Sequence, residues 1–264
     1  MLTEHSNGCY GLCPDCGVTH SLGIGESKNY ARALMNRMTE LGRLDVDVPQ
    51  AEANPALTLE HLFPGDRGHM FGVLECVDSN QHTIWLKAFS SLRGGVRHVP
   101  GWVRPNISQR DYERIIDPQE AKIKSVSGQW ETERDPVKKA NLAQERAQLS
   151  RSLWRQMKSL YRFHNFAGRT ATLDDLFQDK GVPGGTGECC APKLLCEAAL
   201  RGLTPVGLSE FYWGPSTEYD GKTEGSFYPC CEPRCRPLLG FILCHVHHPD
   251  HRAPNKSTDA TQSE

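Results

Sequence analysis

The sequence predicts an α+β fold, with a three-layer α/β arrangement as the alternative. Residues 69–77 and 82–89 are rich in apolar and β-branched residues and flank the turn sequence Asp-Ser-Asn-Gln, which predicts an antiparallel hairpin. A further strand is expected at 205–213, between two short helical segments. Residues 107–163 carry apolar residues at helical spacing, which predicts a long helical insertion.

Length and composition limit the class of protein. The 264 residues suit one sizeable domain or two small ones. We expect a cysteine-rich N-terminal knuckle at 1–25, one domain at 26–246 and a disordered tail at 247–264. No apolar run is long enough to span a bilayer and no signal-peptide pattern is present, so we expect a cytoplasmic protein with no membrane partner. The net charge of -2 means that any nucleic-acid surface must be local.

The cysteines give the strongest chemical signal. The chain has 11 of them without a secretory context, which favours metal binding over a disulfide framework. Most fall in three groups, at 9–16, 189–196 and 230–235. Cys76 and Cys244 stand apart, and we expect both to be small buried apolar residues.

The first group predicts a zinc knuckle. In Cys13-Pro-Asp-Cys16-Gly, a tight turn lets two thiolates face one ion, and Cys9 or His20 would complete the site. The three cysteines also match the C-x3-C-x2-C pattern of radical S-adenosylmethionine enzymes, although no barrel strand precedes them here. Reduced cysteines without a metal are the third possibility.

The central prediction is a zinc site formed by Cys189, Cys231 and Cys235. Cys189 lies at the start of one predicted helix, and the other two lie at the start of another. A helix N-terminus carries partial positive charge and unpaired N–H groups, which stabilise a thiolate. The strand between the two helices allows both helix starts to meet at one ion.

Two basic segments predict contact with RNA. The loop at 90–105 combines cations with an aromatic residue, and the insertion has a cationic helical face, which suit base stacking and phosphate contact. A plain surface loop and a solvated helix face are the simpler alternatives. The candidate RNA-binding residues are Arg93, Arg97, Trp102, Arg104, Lys138, Lys139, Arg151, Arg155 and, from the strand at 205–213, Trp213.

Three blocks of sequence, GECCAPKLL, GLSEFYWG and FYPCCEPRCRPLLG, resemble the amino-terminal region of some bacterial RluA-family RNA pseudouridine synthases. The blocks GHMFGVL and LKAFSS and the basic insertion fit the same region, so the resemblance extends over residues 60–244. That region's cysteine pattern corresponds here to Cys189, Cys231 and Cys235, with Cys190 and Cys230 as extra neighbours. Because the chain has no H-R-L-D-like segment, the resemblance implies association with the modification of a structured RNA, such as tRNA or rRNA, rather than pseudouridine synthesis.

The order of elements is also similar to the cytidine-deaminase fold. This resemblance implies a mixed sheet with flanking helices, a zinc ion that activates water, and a glutamate two residues after the first ligand. Here Ala191 occupies that position, and the second cysteine pair is C-x3-C rather than C-x2-C. Glu188 and Glu210 are the candidates for the missing proton-transfer group, and Trp213 or Trp102 for stacking on the base.

Two functions therefore stay open. The first is a zinc-dependent, deaminase-like hydrolase acting on a nucleobase in RNA or in a nucleotide, with three protein ligands and one open coordination position. The second is a non-catalytic, zinc-stabilised RNA-binding accessory module, in which Cys190 or Cys230 supplies a fourth ligand. A metal-free cysteine cluster used for packing is the third possibility.

Overall fold

A computed structural model of the chain describes residues 8–63, 67–91, 96–177, 181–216 and 221–247. Arg93 and all but the first residue of the predicted tail lie outside these ranges. The helices are α1 (Ser27–Leu41), α2 (Leu59–Leu62), α3 (Gln109–Asp111), α4 (Asp117–Thr132), α5 (Pro136–Leu160), α6 (Leu173–Phe177), α7 (Cys190–Leu200) and α8 (Glu232–Ile242), with short 3-10 turns at Gln50–Glu52 and Pro55–Leu57 and a π-helical turn at Tyr112–Ile116. The strands are β1 (Cys9–Leu12), β2 (Thr19–Leu22), β3 (His69–Val77), β4 (Thr83–Phe89), β5 (Phe163–His164), β6 (Thr170–Ala171), β7 (Thr204–Trp213) and β8 (Phe227–Tyr228).

The main sheet has the order β4-β3-β7-β8. The predicted hairpin is present, with Phe71 opposite Phe89, and β7 lies on the other side of β3, with Phe71 opposite Phe211. All strand pairs among the described residues are antiparallel. The α+β class is therefore confirmed, but the expected mixed sheet is wrong for these residues, because β7 and β8 each run opposite to the strand beside them.

The two faces of the sheet bury different residues of the same strands. On β3, Phe71 and Val73 pack in a cluster with α1, whereas Leu74 and Cys76 pack in a cluster with α7 and α8. This alternation follows from the two-residue period of a strand. The sheet thus separates two apolar cores, and helices cover both of its faces.

The segment predicted to be a helical insertion is helical, and α4 packs against α5. The contacts between its two long helices show that they run antiparallel. Near one end, the Gln119 side chain donates to Gln156 Oε1 at 2.9 Å. Towards the other end, Lys139 and Arg146 both lie over the ring of Trp130. No helix in the described part of the chain is long and apolar enough to span a bilayer.

The N-terminal hairpin, β1 and β2, packs directly on α8. A Cβ atom built on Gly11 would lie 2.2 Å from the carbonyl oxygen of Arg236, and one on Gly240 would lie 2.1 Å from that of Leu12. Only glycine fits at such distances, so the hairpin and the helix are in backbone contact. This packing brings the first cysteine group next to the C-terminal end of α8.

Candidate metal centre and its cavity

The sulfur atoms of Cys189, Cys231 and Cys235 all lie within 4.8 Å of one another. Cys189 is the N-cap residue of α7 and Cys231 the N-cap residue of α8. The convergence of three thiols from distant parts of the sequence is therefore present in the structure, and such a group can hold a metal ion.

The C-x3-C spacing has a structural reason. The backbone N–H of Cys235 donates to the carbonyl oxygen of Cys231 at 3.0 Å, which makes the two residues neighbours across the first turn of α8. Residues four apart on a helix lie on the same face. The longer spacing thus aims both sulfurs at Cys189.

The three thiols differ in pKa. Hydrogen bonds from the thiols of Cys189 and Cys235 lower the pKa of Cys231, and the backbone and guanidinium of Arg234 lower it further. The hydrogen bond to Cys231 raises the pKa of Cys189 to about 12, and hydrogen bonds to Cys189 and Cys231 raise that of Cys235. Cys231 is therefore the first of the three to ionise.

The cluster lies on the wall of a cavity of about 850 Å³, large enough for a small-molecule ligand. Cys189 and Cys231 line this cavity and are partly exposed, whereas Cys235 is fully buried behind them. The cavity also exposes acidic, cationic and aromatic groups to a ligand. These include Glu188, Glu210, Arg67, Lys222, Arg234 and Tyr228.

Glu210 is the cavity carboxyl with the most unusual surroundings. It lies in the interior of β7, 5% exposed, and accepts a hydrogen bond from the backbone N–H of Ala191 at 2.9 Å. Burial raises the pKa of Glu210 to about 7, while the hydrogen bonds from Ala191 and Cys230 and the charge of Lys222 oppose this effect. A carboxyl with such a pKa can give or take a proton near neutral pH.

Glu188 has the opposite character. Burial raises the pKa of Glu188, but the ammonium group of Lys193 and the hydroxyls of Tyr161 and Ser91 outweigh burial and lower it overall. Tyr161 donates to Glu188 Oε1 at 2.5 Å, Tyr112 donates to the same oxygen at 3.3 Å, and Lys193 Nζ lies 3.4 Å from Oε2. Glu188 is thus held as a carboxylate with few directions left for a ligand.

A second group of possible ligands lies at the N-terminal hairpin. Sγ of Cys13, Cys16 and Cys244 and a ring nitrogen of His20 lie within 4.8 Å of one another. Cys13, Cys16 and His20 were predicted from the sequence. Cys244 is a correction to the expectation of a plain apolar residue, since its buried thiol faces this group; Cys76 is buried in β3 as expected.

The predicted role of Cys9 as a ligand is wrong for the described structure. Its thiol is buried in the core and hydrogen-bonds that of Cys230, a contact that raises the pKa of Cys230 together with burial. Since Cys9 stays outside both groups, the three-cysteine set of the radical S-adenosylmethionine pattern is not assembled.

Neither expected fourth ligand joins the central cluster among the described residues. The thiol of Cys190 donates to the carbonyl oxygen of Met70 at 3.3 Å, and that of Cys230 faces Cys9. The central group of the described residues therefore contains three protein ligands, whereas the N-terminal group contains four.

The candidate RNA-binding residues fall into two sets. Trp102 is in the core, where its indole N–H donates to the carbonyl oxygen of Leu44 at 2.8 Å, so the expected stacking on a base is corrected to a packing role. Trp213 packs against the α1 side of the sheet, away from the cavity.

The cationic candidates differ in exposure. Arg97 forms ion pairs with Asp117 and Glu120. The exposed candidates are Arg104, Lys138, Arg151 and Arg155, while Lys139 is partly covered beside Trp130.

Three important residues were not predicted as part of the site. Tyr112, Tyr161 and Lys193 hold Glu188, and both tyrosines lie within the segment predicted to be the helical insertion. Only Lys193 carried a sequence signal. A positive charge in the first turn of a helix is unfavourable unless an acidic partner such as Glu188 lies nearby. The tyrosines had no such signal, since their contacts depend on how the insertion packs.

Comparison of the chain with models of known protein families, with curated proteins and with solved structures finds no match. The site must therefore be interpreted from its own geometry and chemistry.

Proposed function

We propose that this chain binds zinc at Cys189, Cys231 and Cys235 and acts as a deaminase-like hydrolase on a nucleobase, in RNA or in a nucleotide. The reaction would exchange the exocyclic amino group of the base for an oxygen atom of water and release ammonia, with no net oxidation. The observation that carries this proposal is a group of three thiols open to a cavity that also contains a carboxyl group with a pKa of about 7.

The ligand set fits zinc and favours an open site. Cysteine thiolates are preferred zinc ligands, and catalytic zinc sites keep three protein ligands with one position open. Three cysteines in the described cluster, two of them lining the cavity, match this arrangement. When bound, zinc would supply Lewis acidity at the open position.

Glu210 is the better candidate for proton transfer. The deaminase pattern carries its glutamate two residues after the first ligand, a position occupied here by Ala191. The carboxyl of Glu210, on β7, accepts a hydrogen bond from the backbone N–H of Ala191. It therefore lies next to the position that the glutamate of the deaminase pattern would occupy. Glu188, with its lowered pKa and three hydroxyl donors, is better suited to fixing the start of α7.

Three cationic side chains favour a phosphate-bearing substrate in the cavity. Arg67, Lys222 and Arg234 line it, and Lys222 Nζ lies 5.5 Å from the ring centre of Tyr228. Cations can bind the phosphates of a nucleotide or of an RNA strand, and a tyrosine ring can stack on a base. In the proposed complex the base would point towards Glu210 and the phosphate would contact these cations.

The architecture supports the deaminase-like interpretation in part. The hairpin, α7 after its cap Cys189, the strand β7, and α8 after its cap Cys231 follow in the expected order, with helices on both faces of the sheet. The antiparallel pairing of β8 departs from that layout. The proposal therefore depends on the site more than on the sheet.

The alternative is a non-catalytic, zinc-stabilised RNA-binding module related to the amino-terminal region of RluA-type pseudouridine synthases. The cations that remain exposed on α5, Lys138, Arg151 and Arg155, favour this alternative. It shares the metal and the RNA partner with the first proposal but requires no hydrolysis.

Metal analysis tests the site itself. Cys189→Ala protein purified without added zinc should contain about one zinc equivalent per chain fewer than wild type. The two remaining thiols are too few to hold the ion, since three protein ligands are the minimum of such a site. Cys190→Ala is the matched control, since the neighbouring thiol bonds Met70 and lies outside the cluster. Equal zinc content in the two variants would disprove the central site.

An ammonia-release assay separates the two functions. Wild-type protein would be incubated with cytosine- and adenine-containing nucleotides and short RNAs. Glu210→Gln should lower the rate by about 10²- to 10⁴-fold while zinc is retained, and Glu224→Gln, an exposed change outside the cavity lining, should have no effect. RNA binding with no ammonia release from any of these substrates would favour the module.

A further inference from the structure

We infer that Cys13, Cys16, His20 and Cys244 bind a second, structural zinc ion that fastens the N-terminal hairpin to the C-terminal end of α8. The inference does not depend on the proposed function, because none of the four residues belongs to the central cluster or lines its cavity.

The distances between the four groups fit a tetrahedral zinc site. Cys16 Sγ lies 3.2 Å from His20 Nε2 and 4.0 Å from Cys244 Sγ. Zinc–sulfur and zinc–nitrogen bonds of about 2.3 and 2.1 Å place tetrahedral ligands roughly 3.5 to 3.8 Å apart. Small side-chain movements would therefore bring all four atoms to one ion.

The backbone between the two strands of the hairpin is already shaped for the ion. The N–H of Gly17 donates to the carbonyl oxygen of Cys13 at 3.0 Å, and Gly17 has a φ of 69°, which favours glycine. Cys13 in turn donates from its N–H to the carbonyl oxygen of Val18 at 2.9 Å. This turn directs the thiols of Cys13 and Cys16 to the same side, where β2 adds His20.

The fourth ligand comes from the far end of the described chain. Cys244 follows α8, and its N–H donates to the carbonyl oxygen of Phe241 at 3.1 Å, which fixes the thiol beside the hairpin. Cys13 and Cys244 are buried. Four protein ligands around one point are typical of structural zinc, which needs no open position.

This second site has a consequence for the first. The same helix carries Cys231 and Cys235 at its start and Cys244 just beyond its end. An ion at the hairpin would hold the end of α8 against β1, where Gly11 and Gly240 are already in contact. The second zinc thereby fixes the helix that supplies two ligands to the cavity.

The test is the zinc content of single variants purified without chelator. We expect about two zinc ions per chain in wild type and about one in Cys16→Ala and in His20→Ala. Cys16 is exposed, so its truncation leaves no core cavity and the variant should fold. Loss of the ion should also lower the thermal unfolding midpoint by at least about 5 °C.

His245→Ala is the matched control for His20→Ala. Its ring lies 3.2 Å from Cys244 Sγ, but the residue is outside the four-ligand group. We expect this variant to keep the zinc content of wild type. The inference is overturned if Cys16→Ala and His20→Ala retain wild-type zinc, or if His245→Ala loses as much zinc as His20→Ala does.

The experiment also separates this inference from the proposed function. A chain that loses one zinc in Cys189→Ala and none in Cys16→Ala has only the central site. The reverse result leaves only the hairpin site, and the double variant should contain no zinc when both are correct. X-ray absorption of Cys189→Ala protein should then show a shell of three sulfurs and one nitrogen, and a shell without nitrogen would exclude His20.

Discussion

Glu210 accepts a hydrogen bond from the backbone N–H of Ala191, with 2.9 Å between oxygen and nitrogen. The contact joins the centre of the sheet to the first turn of α7, next to Cys189. The N–H groups of a first helical turn have no partner within the helix, so a carboxyl group is a natural acceptor for them. The bond thus fixes an acid beside the three thiols, at a helix whose own first turn carries no glutamate at this position.

The first prediction concerns pH. Burial raises the pKa of Glu210 from 4.5 to about 7, so the folded protein binds a proton that the unfolded chain releases. Its contribution to stability is complete below the unfolded pKa and is lost as pH rises towards 7. Between pH 5.5 and 7.5 we expect a loss of about 2 kcal/mol from this group.

Urea unfolding of wild type and Glu210→Gln at both pH values measures this loss. Glutamine does not titrate, so the variant should lack this component, and effects of zinc or other groups common to both proteins cancel in the difference. Glu224→Gln, which removes an exposed carboxyl, should follow wild type. Parallel pH dependences for wild type and Glu210→Gln would contradict the prediction.

The second prediction concerns Tyr161, whose hydroxyl bonds the carboxylate of Glu188. Tyr161→Phe leaves a buried charge with one donor fewer, which should lower the free energy of unfolding by about 1.5–3 kcal/mol. Tyr10→Phe is the control, because its 3.4 Å bond to Glu232 lies at the surface and should contribute less than about 0.5 kcal/mol. Chemical denaturation that gives the same value for both variants would show that Glu188 is held by other groups.

The third prediction concerns the close packing of α7 on β3. A Cβ atom on Gly72 would lie 2.6 Å from that of Cys190, so Gly72→Ala must move α7, the helix capped by Cys189. We expect a destabilisation of about 1–3 kcal/mol and weaker zinc binding at the central cluster. Thermal unfolding and competition with a chromophoric chelator measure the two effects.

Gly128→Ala is the control for this change. Gly128 lies within α4, and a methyl group added to it would have no described neighbour within 4 Å, so alanine should stabilise the helix by about 0.5–1 kcal/mol. Zinc affinity should not change. If Gly72→Ala binds zinc as tightly as Gly128→Ala, the helix start does not control the site.

The fourth prediction concerns RNA. Replacing the exposed Lys138, Arg151 and Arg155 by glutamine should reduce the slope of log affinity against log salt concentration by about 2 for a single-stranded RNA. The slope arises because each cation that contacts a phosphate releases counterions from the RNA, so the variant should release fewer of them on binding. Fluorescence anisotropy over a salt series measures it.

The control removes three cations from elsewhere, with glutamine at Lys28, Arg32 and Arg201. These residues lie in or near α1 and α7, away from the helical pair. Their slope should equal that of wild type. An unchanged slope in the α5 variant would remove this helix from the RNA surface.

The sequence was most informative where the signal is local. The hairpin of β3 and β4, the strand β7 and the helix that begins near Cys189 follow from apolar periodicity and turn residues, and the structure has them within a few residues of the predicted bounds. The helix after Cys231 is predicted over 237–244, whereas α8 starts at Glu232 and ends at Ile242. In the structure α8 continues through Pro237.

Non-local relationships were harder to predict. The sequence predicts a plain apolar role for Cys244, since no spacing rule links it to a hairpin more than two hundred residues earlier in the chain. The basic neighbours of Trp102 predict contact with RNA, but packing against Phe71 and Phe89 places its ring in the core. In both cases tertiary packing decided the outcome, and a local pattern contains no information about it.

The contact between Cys16 and Cys244 spans 228 positions of the chain. Joining such distant points restricts the unfolded polypeptide far more than the folded one, and the entropy lost by the unfolded chain grows with the logarithm of the span. An ion that stayed bound to both segments during unfolding would therefore stabilise the protein largely by making its denatured ensemble less favourable. Removal of that ion would restore this freedom to nearly the whole chain at once, whereas the central cluster encloses a much shorter loop.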